Sequence, residues 1–353
     1  MLYVCYSIND FAVMEAGISM LSLLMNNPGY EPEELFFIDY GILAPHKEIL
    51  NGIAGSYGKR ITYLQGKPVT GEVKSRFPNL RSWAGTMAPN AKAFLDKILP
   101  PYVERVLFLD ADTLVMGSIE ELQNLDMGGA ALGVVPQNTV TAQIRNGEFS
   151  LYSGNDFYFN SGVLLFNLSA WRREDCYGMV IDILQKKKNL YSPDQTLLNN
   201  AIPARLLYQL PLKYNHLTHY VHPRQERRYL LKGNTHTPEE VEDAICHPAI
   251  MHCTGGDHQA RPWHKGCRSY RKDEYLRYKA LSPWKDVPPR YDYRKVMKRK
   301  GYLHKGIRLM YWMQSCQPSF TLSELYMKCF WGSVRLGRRV LRTPPEPGEG
   351  IEN

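Results

Sequence analysis

The segment Arg105-Val106-Leu107-Phe108-Leu109-Asp110-Ala111-Asp112 carries the clearest structural signal in the chain. A short continuous apolar run is typical of a strand that is buried on both faces of a parallel sheet. Asp110 and Asp112 are two positions apart, so their carboxylates project to one side of the extended backbone. Parallel α/β sheets bind ligands at the carboxyl ends of their strands. The segment therefore predicts a buried strand with a binding site at its end.

Strand and helix patterns alternate on both sides of this segment. Strands are predicted at 3–8, 35–38, 61–64, 131–135, 162–168 and 249–253. Helices are predicted at 11–25, 47–57, 90–98, 119–125, 171–188 and 194–201. Strands separated by helices indicate βαβ units, so the fold class is α/β with a mainly parallel, Rossmann-like sheet.

The composition is that of a globular protein: of 353 residues, 44% are apolar and 22% are charged. There is no apolar run of membrane-spanning length and no secretory leader pattern. The seven cysteines include no Cys-x-x-Cys pair, which favours reduced thiols. We therefore expect a cytoplasmic protein.

The net charge of +8 is concentrated near the C-terminus. Residues 290–342 contain thirteen Lys and Arg against two acidic residues, whereas residues 1–289 carry no net charge. The predicted organisation is a catalytic domain at 1–281, a Pro-rich linker at 282–289, a basic, aromatic and helical C-terminal segment at 290–342, and a flexible acidic tail at 343–353. The basic segment suits an interfacial helix on an anionic membrane, or a helical pair packed on the catalytic domain. Nucleic-acid binding ranks third, because no recognisable module accompanies the charge.

Asp110 and Asp112 offer two hard oxygen ligands, which suit Mg²⁺ or Mn²⁺ bridging a diphosphate. His252 also ends a predicted strand, before Gly255 and Gly256, and can supply an imidazole to the same ion. Arg261 follows as a cation able to pair with phosphate. The structural alternatives are an Asx turn at the aspartates and a core histidine. A zinc site among the nearby Cys and His residues is disfavoured, because their spacing matches no common finger.

Two polar clusters follow: Asn160-Ser161-Gly162 before a strand, and Ser192-Pro193-Asp194-Gln195 at a helix start. Each is in the first instance a turn or a helix cap. Amide and carboxylate groups are also what the hydroxyls of a sugar require, so the two clusters together are candidates for a sugar pocket.

In this order, the motifs resemble glycosyltransferase family 8, which includes bacterial lipopolysaccharide and lipooligosaccharide galactosyl- and glucosyltransferases and, more distantly, glycogenin. The resemblance covers roughly residues 1–270. It rests on the following segments: 4–26, 106–112, 159–168 with Trp171-Arg172-Arg173, Asp194-Gln195, and His252 followed by Arg261-Pro262-Trp263.

The resemblance implies a GT-A fold that transfers a sugar from a UDP-sugar with retention of configuration, using a divalent metal, usually Mn²⁺. The implied metal ligands are Asp110, Asp112 and His252. The implied nucleotide-binding residues are Tyr6, Asn9, Asp10, Ala111, Gly255 and Arg261. The implied sugar-binding residues are Lys92, Asn160, Asp194 and Gln195, of which Asp194 and Gln195 are the catalytic candidates, with Gln195 near the anomeric carbon.

The chain departs from the family pattern at three places. Ile8 stands where an acidic residue is usual, Lys92 takes the place of a Tyr-x-Arg motif, and the stretch from His252 to Trp263 contains three extra residues and Arg261 for lysine.

The predicted function is a hexosyltransferase of bacterial surface-glycan assembly that uses UDP-galactose or UDP-glucose and a glycan or lipid-linked saccharide acceptor. The rival enzyme class is a haloacid-dehalogenase-type phosphatase, whose Asp-x-Asp-x-Thr motif resembles residues 110–113 but normally closes the first strand. A degenerate, non-catalytic sugar-nucleotide-binding module is the third alternative.

Overall fold

The structure is a computed structural model that describes residues 1–83, 85–137, 157–187, 190, 193–218, 220–231, 235–254 and 261–292. Its helices are α1 (Val13–Asn26), α2 (Ala44–Gly55), α3 (Lys67–Arg76), α4 (Leu95–Ile98), α5 (Glu120–Gln123), α6 (Leu168–Arg173), α7 (Cys176–Lys186), α8 (Pro193–Ala201), α9 (Pro223–Leu230), α10 (Pro238–Cys246) and α11 (Lys272–Ala280). Its strands are β1 (Tyr3–Ile8), β2 (Glu34–Asp39), β3 (Arg60–Gln65), β4 (Arg105–Leu109), β5 (Thr113–Val115), β6 (Leu132–Val134), β7 (Pro136–Gln137), β8 (Tyr158–Phe159), β9 (Val163–Asn167), β10 (Leu207–Gln209), β11 (His216–Leu217), β12 (Ile250–His252), β13 (His264–Lys265) and β14 (Arg290–Asp292).

The central sheet has seven strands in the order β10-β6-β9-β4-β1-β2-β3. All neighbours are parallel except β9, which runs antiparallel to both β4 and β6. The apolar run at 106–109 is completely buried, as its composition predicts. The expected α/β class with a mainly parallel sheet is confirmed.

A second sheet has three strands in the order β11-β12-β5. Its strand β5 directly follows the turn that contains Asp110 and Asp112. Strand β12 pairs antiparallel with β5, and this register places His252 opposite Thr113. The N–H of Cys253 also donates to the carbonyl oxygen of Asp112 at 2.7 Å. Backbone pairing therefore brings the end of β12 to the aspartates, 140 positions away in sequence.

Two predicted helices differ in the structure. Residues 88–94 form a 3-10 helix, and only Leu95–Ile98 are α-helical. The predicted helix at 171–188 is two helices, α6 and α7, because Asp175 between them has a left-handed backbone with φ of 51°. Its carboxylate accepts from the N–H of Gly178 at 3.1 Å, so Asp175 caps the second helix.

The described residues divide into two compact units. The main unit contains the described residues within 1–218, 227–253 and 277–286, and the second unit contains those within 220–226, 254–276 and 287–292. In the main unit, Trp284 is 8% exposed, and its indole lies where a side chain on Gly17 of α1 would be. The stretch predicted as a linker, 282–289, thus contains a residue that packs on α1.

In the second unit, β13 pairs parallel with β14, so the segment predicted as helical from residue 290 begins with a strand. The buried carboxylate of Glu226 faces the Arg271 guanidinium at 3.6 Å and accepts a hydrogen bond from Tyr270. Residues 293–353 lie outside the described residues, and with them nearly all of the predicted basic segment and the acidic tail. No described helix has the length and the apolar character needed to cross a bilayer.

Candidate active site

The carboxyl end of β4 places Asp110 and Asp112 in a turn that backbone hydrogen bonds hold. The N–H of Asp110 donates at 2.8 Å to the carbonyl of Gly162, which directly precedes the neighbouring strand β9. The N–H and the hydroxyl of Thr113 both donate to the carbonyl of Asp110, at 3.2 and 2.9 Å. The two carboxylates and the His252 imidazole each offer a ligand atom, and these atoms lie within 4.8 Å of one another. The structure thus brings together the three residues that were predicted to bind a metal.

His252 approaches this turn across a glycine. Its Nε2 lies 3.1 Å from Oδ1 of Asp112, and its side chain is only 4% exposed. A Cβ atom on Gly162 would lie 2.0 Å from the imidazole Cε1, closer than any real contact. Position 162 of the Asn160-Ser161-Gly162 motif therefore requires glycine, since any side chain there would displace the imidazole.

The donor set suits a divalent cation of the Mn²⁺ or Mg²⁺ class, because it combines two carboxylates with one imidazole. Burial and the neighbouring Asp112 raise the pKa of the Asp110 carboxyl above its usual range, although Lys92 opposes them. A divalent ion at this position would offset the repulsion between the two carboxylates. The residues present therefore fit the metal that the sequence predicts.

Lys92 is a completely buried cation beside the metal cluster. Its ammonium nitrogen lies 2.7 Å from Asp110 Oδ1, 2.9 Å from Asp194 Oδ2 and 2.9 Å from the carbonyl of Ser161. Burial alone would lower the pKa of the Lys92 ammonium, but the two carboxylates outweigh it and raise that pKa above its usual value. Each ammonium hydrogen thus has a protein partner. Direct contact of Lys92 with a sugar stays a prediction, and it would require one of these bonds to break.

The predicted sugar-binding amides form a connected set. The side-chain amide of Asn160 donates to Oε1 of Gln195 at 3.0 Å, and the same oxygen accepts from the N–H of Ser161 at 3.2 Å. Nε2 of Gln195 donates to the Tyr158 hydroxyl at 3.1 Å. Asp194 accepts from the Ser161 hydroxyl at 2.7 Å. Burial opposes the ionisation of Asp194, but Lys92 outweighs burial and keeps the pKa of this carboxyl below its ordinary value. The two polar motifs that are 34 residues apart in sequence therefore meet in one place.

On the predicted nucleotide side, Tyr6 and Asp10 have protein partners. The Tyr6 side chain is fully buried, and its hydroxyl lies 3.1 Å from that of Ser19, so any nucleotide contact at this position falls to the backbone. Oδ1 of Asp10 accepts from the N–H of Leu43 at 2.9 Å and lies 2.6 Å from Nδ1 of His46.

Asn9 and Ala111 are both partly exposed. Asn9 precedes the 3-10 turn after β1, and Ala111 lies between the two aspartates. Gly255 lies outside the described residues. Arg261 belongs to the second unit, where its guanidinium stacks over the Trp263 ring at 5.5 Å.

A protein-family model, described as glycosyl transferase family 8, matches residues 3–267. The chain belongs to this family. The family membership agrees with the resemblance drawn from the motifs and favours a glycosyltransferase over the phosphatase alternative.

The proteins similar to this chain include several lipopolysaccharide glucosyl- and galactosyltransferases. A lipopolysaccharide 1,2-glucosyltransferase of Escherichia coli K12 is 28% identical over 86% of this chain and 85% of its own length. A lipopolysaccharide 1,3-galactosyltransferase of Salmonella typhimurium LT2 is 23% identical over 80% of this chain and 78% of its own length. Among solved structures, the galactosyltransferase LgtC in complex with donor and acceptor sugar analogues is 23% identical, covers 80% of this chain and 96% of its own, and has a TM-score of 0.63. The shared fold is of the GT-A type.

Two residues of this candidate site were not predicted from the sequence. Asn215, 2% exposed, lies between His252 and Asn160, and Tyr158 accepts from Gln195. Asn215 follows a short 3-10 turn and belongs to no sequence motif. The signal for Tyr158 was its position next to the Phe159-Asn160-Ser161-Gly162 run.

Proposed function

We propose that this family 8 enzyme is a retaining, metal-dependent hexosyltransferase that moves galactose or glucose from a UDP-sugar to a glycan or lipid-linked saccharide acceptor. The acceptor chemistry is proposed from the lipopolysaccharide relatives and suggests bacterial lipopolysaccharide or surface-polysaccharide synthesis. The observation that carries the proposal is the contact of two clusters: the Asp110, Asp112 and His252 ligand atoms within 4.8 Å, and the amides of Asn160 and Gln195 beside them. The first suits an ion that binds a diphosphate, and the second suits sugar hydroxyls.

A bound Mn²⁺ or Mg²⁺ would act as a Lewis acid and stabilise the charge that develops on the departing UDP. Asp110, Asp112 and His252 would hold that ion, and Lys92 would keep the carboxylates of Asp110 and Asp194 in place. Polar groups held in advance of the reaction stabilise a transition state without the cost of reorganisation.

Gln195 and Asp194 would orient the transferred sugar. The amide of Gln195 is held by Asn160, Ser161 and Tyr158, and the carboxylate of Asp194 by Lys92 and Ser161. Because Asp194 Oδ2 is bonded to both an ammonium and a hydroxyl, we assign Asp194 a binding role rather than that of a nucleophile. Retention then follows from attack of the acceptor hydroxyl on the leaving-group face, with a diphosphate oxygen as the proton acceptor.

Release of free UDP tests the proposal without the acceptor. Purified protein is incubated with UDP-galactose, UDP-glucose or UDP-N-acetylglucosamine, with Mn²⁺, Mg²⁺ or EDTA. We expect slow release from one hexose donor, abolished by EDTA and by Asp112→Asn. Asp182→Asn is the matched control, because Asp182 is a half-exposed carboxylate that pairs with Lys186. UDP binding without release under every condition would instead support the non-catalytic binding module.

We also propose that the enzyme is cytoplasmic and that residues 290–342 contact an anionic membrane surface, where a lipid-linked acceptor would lie. The proposal rests on thirteen basic residues interspersed with aromatic ones in this segment. Co-sedimentation with phosphatidylglycerol vesicles should exceed that with phosphatidylcholine vesicles and should fall in a variant carrying Lys298→Glu, Arg299→Glu and Lys300→Glu. Equal sedimentation with both vesicle types would contradict this part of the proposal.

A further inference from the structure

A chain of side-chain hydrogen bonds at the site starts from the backbone of Gly162. The N–H of Gly162 donates to Oδ1 of Asn160 at 2.9 Å. A backbone N–H can only donate, so the atom of Asn160 that faces it must be the amide oxygen. The other end of the same amide donates to Oε1 of Gln195, which also accepts from the N–H of Ser161. Two backbone donors thus determine the orientation of both amides.

Asn215 carries this orientation to the metal cluster. The Asn215 side chain contacts Oδ1 of Asn160, the oxygen that also accepts from Gly162. Because this oxygen can only accept, the Asn215 atom that faces it at 3.1 Å must be the donor Nδ2. Oδ1 of Asn215 therefore faces Nδ1 of His252, at 3.2 Å. A carbonyl oxygen can only accept, so Nδ1 of His252 must carry a hydrogen. In a neutral imidazole, Nε2 then has its lone pair directed toward Asp112, where the ion would bind.

We propose that Asn215 is a positioning residue that holds His252 in the Nδ1–H tautomer and directs its Nε2 to the metal ion. The inference rests on the proposed function, since it assigns a role within the same metal site. Metal-bound histidines usually donate their second N–H to a carboxylate, a carbonyl or water, and such partners orient the ring and select its tautomer. Asn215 supplies this partner and also joins the metal cluster to the sugar-side amides through Asn160.

The fold holds Asn215 firmly enough for this role. Its N–H donates to the carbonyl of Leu212 at 3.1 Å, which closes the 3-10 turn. The N–H of Leu212 in turn donates to Glu240 of α10 at 2.8 Å. The Asn215 side chain is enclosed, and a buried amide is costly unless its hydrogen bonds are made. Both ends of this amide are engaged, one with Asn160 and the other with His252.

The first measurement is the affinity for Mn²⁺, determined by electron paramagnetic resonance titration of the free ion. Asn215→Leu keeps the approximate volume and removes both hydrogen bonds, so we expect Mn²⁺ affinity to fall by about ten- to hundredfold. Asn215→Asp keeps an acceptor for Nδ1–H, so it should retain most of the affinity. Asn27→Leu is the matched control: Asn27 is also buried, but within the described part of the chain its side-chain amide bonds to backbone groups, those of Leu23, Gly117 and Ile119. It should leave Mn²⁺ affinity unchanged at temperatures where the protein stays folded.

The second measurement needs neither the metal nor a variant at Asn215. Long-range ¹H–¹⁵N spectra of protein labelled with ¹⁵N-histidine report the tautomer, and the His252 signals are those absent from His252→Gln. We expect a hydrogen on Nδ1 in the wild type, whether or not Asp112, 3.1 Å from Nε2, also holds one on Nε2 in the absence of metal. A ring that carries its hydrogen on Nε2 alone would overturn the inference. Equal Mn²⁺ affinity of the wild type and Asn215→Leu would also overturn it. A wild type that binds no Mn²⁺ would contradict the proposed metal dependence, while the tautomer would still decide the role of Asn215.

Discussion

Two close contacts between a basic and an acidic side chain have nearly the same length but different surroundings. Lys92 and Asp110 lie 2.7 Å apart around a completely buried ammonium, whereas His46 and Asp10 lie 2.6 Å apart with side chains 38% and 29% exposed. The buried pair belongs to a cluster in which Asp194 and the Ser161 carbonyl complete the bonds of Lys92. Water can replace either partner of the exposed pair. Distance alone therefore says little about energy. We expect substitution of Lys92 to lower the unfolding free energy strongly and substitution of His46 to lower it little.

The largest effect is expected from Lys92→Met. Removal of the buried cation leaves the carboxylates of Asp110 and Asp194 without their common partner, which typically costs about 3–5 kcal/mol of unfolding free energy. Urea denaturation measures this loss. Lys47→Met is the matched control: Lys47 pairs with Asp39 at 2.6 Å but is itself 30% exposed. Asp39 is only 5% exposed, but it keeps its bonds from the N–H groups of Gly41 and Ile42, so the loss should be about 1 kcal/mol. Equal losses for the two variants would mean that burial of the cation does not set the cost of its removal.

Gly162→Ala should act on the metal site more than on stability. The added methyl group would occupy the place of the His252 imidazole, so Mn²⁺ affinity and metal-dependent UDP release should fall by about ten- to hundredfold. Gly71→Ala serves as control, since the space around Gly71 in α3 is open and alanine favours a helix. Wild-type Mn²⁺ affinity in Gly162→Ala would show that the imidazole is not required for the ion.

Asp39 provides an intermediate case with a defined pH dependence. Burial opposes its ionisation, but Lys47 and the N–H groups of Gly41 and Ile42 outweigh burial and lower the pKa of the carboxyl. An aspartate whose folded pKa lies below the unfolded value of about 3.9 stabilises the fold above that pH, and this contribution disappears as the pH falls through the folded pKa. Unfolding free energies between pH 5 and pH 3 should fall, and Asp39→Asn should make the fall shallower by about 1 kcal/mol. An unchanged slope in Asp39→Asn would contradict this assignment.

The smallest effect is expected from His46→Ala. An exposed pair contributes about 0.2–1 kcal/mol, and the Asp10 carboxylate keeps its bond from the N–H of Leu43. Thermal unfolding should therefore shift by a few degrees at most. A loss of unfolding free energy as large as that of Lys92→Met would mean that the exposed contact of His46 with Asp10 stabilises the fold as much as the buried contacts of Lys92.

The sequence predicted the parts of the site that depend on regular local patterns. The apolar run before Asp110 predicts a buried strand, and the spacing of Asp110 and Asp112 places both carboxylates at its end. His252 was found because it also ends an apolar strand. In the structure, backbone pairing between β12 and β5 brings these residues together.

The interior contacts could not be predicted in the same way. The burial of Lys92 between two carboxylates depends on the packing of the 3-10 segment 88–94 against strands distant in sequence. No local pattern around Lys92 indicates that this lysine is buried. Asn215 has no motif, and its partners lie 37 and 55 residues away. The break between α6 and α7 depends on one left-handed residue, Asp175, within an otherwise continuous helical pattern.

We propose that Asp110, Asp112 and His252 hold an ion that binds the diphosphate of the donor. The decisive experiment is isothermal titration of UDP in the presence of Mn²⁺ or EDTA, with the wild type and Asp112→Asn compared. We expect UDP binding by the wild type only with Mn²⁺, and loss of this binding in Asp112→Asn. UDP binding of equal strength with EDTA, or unchanged in Asp112→Asn, would contradict it.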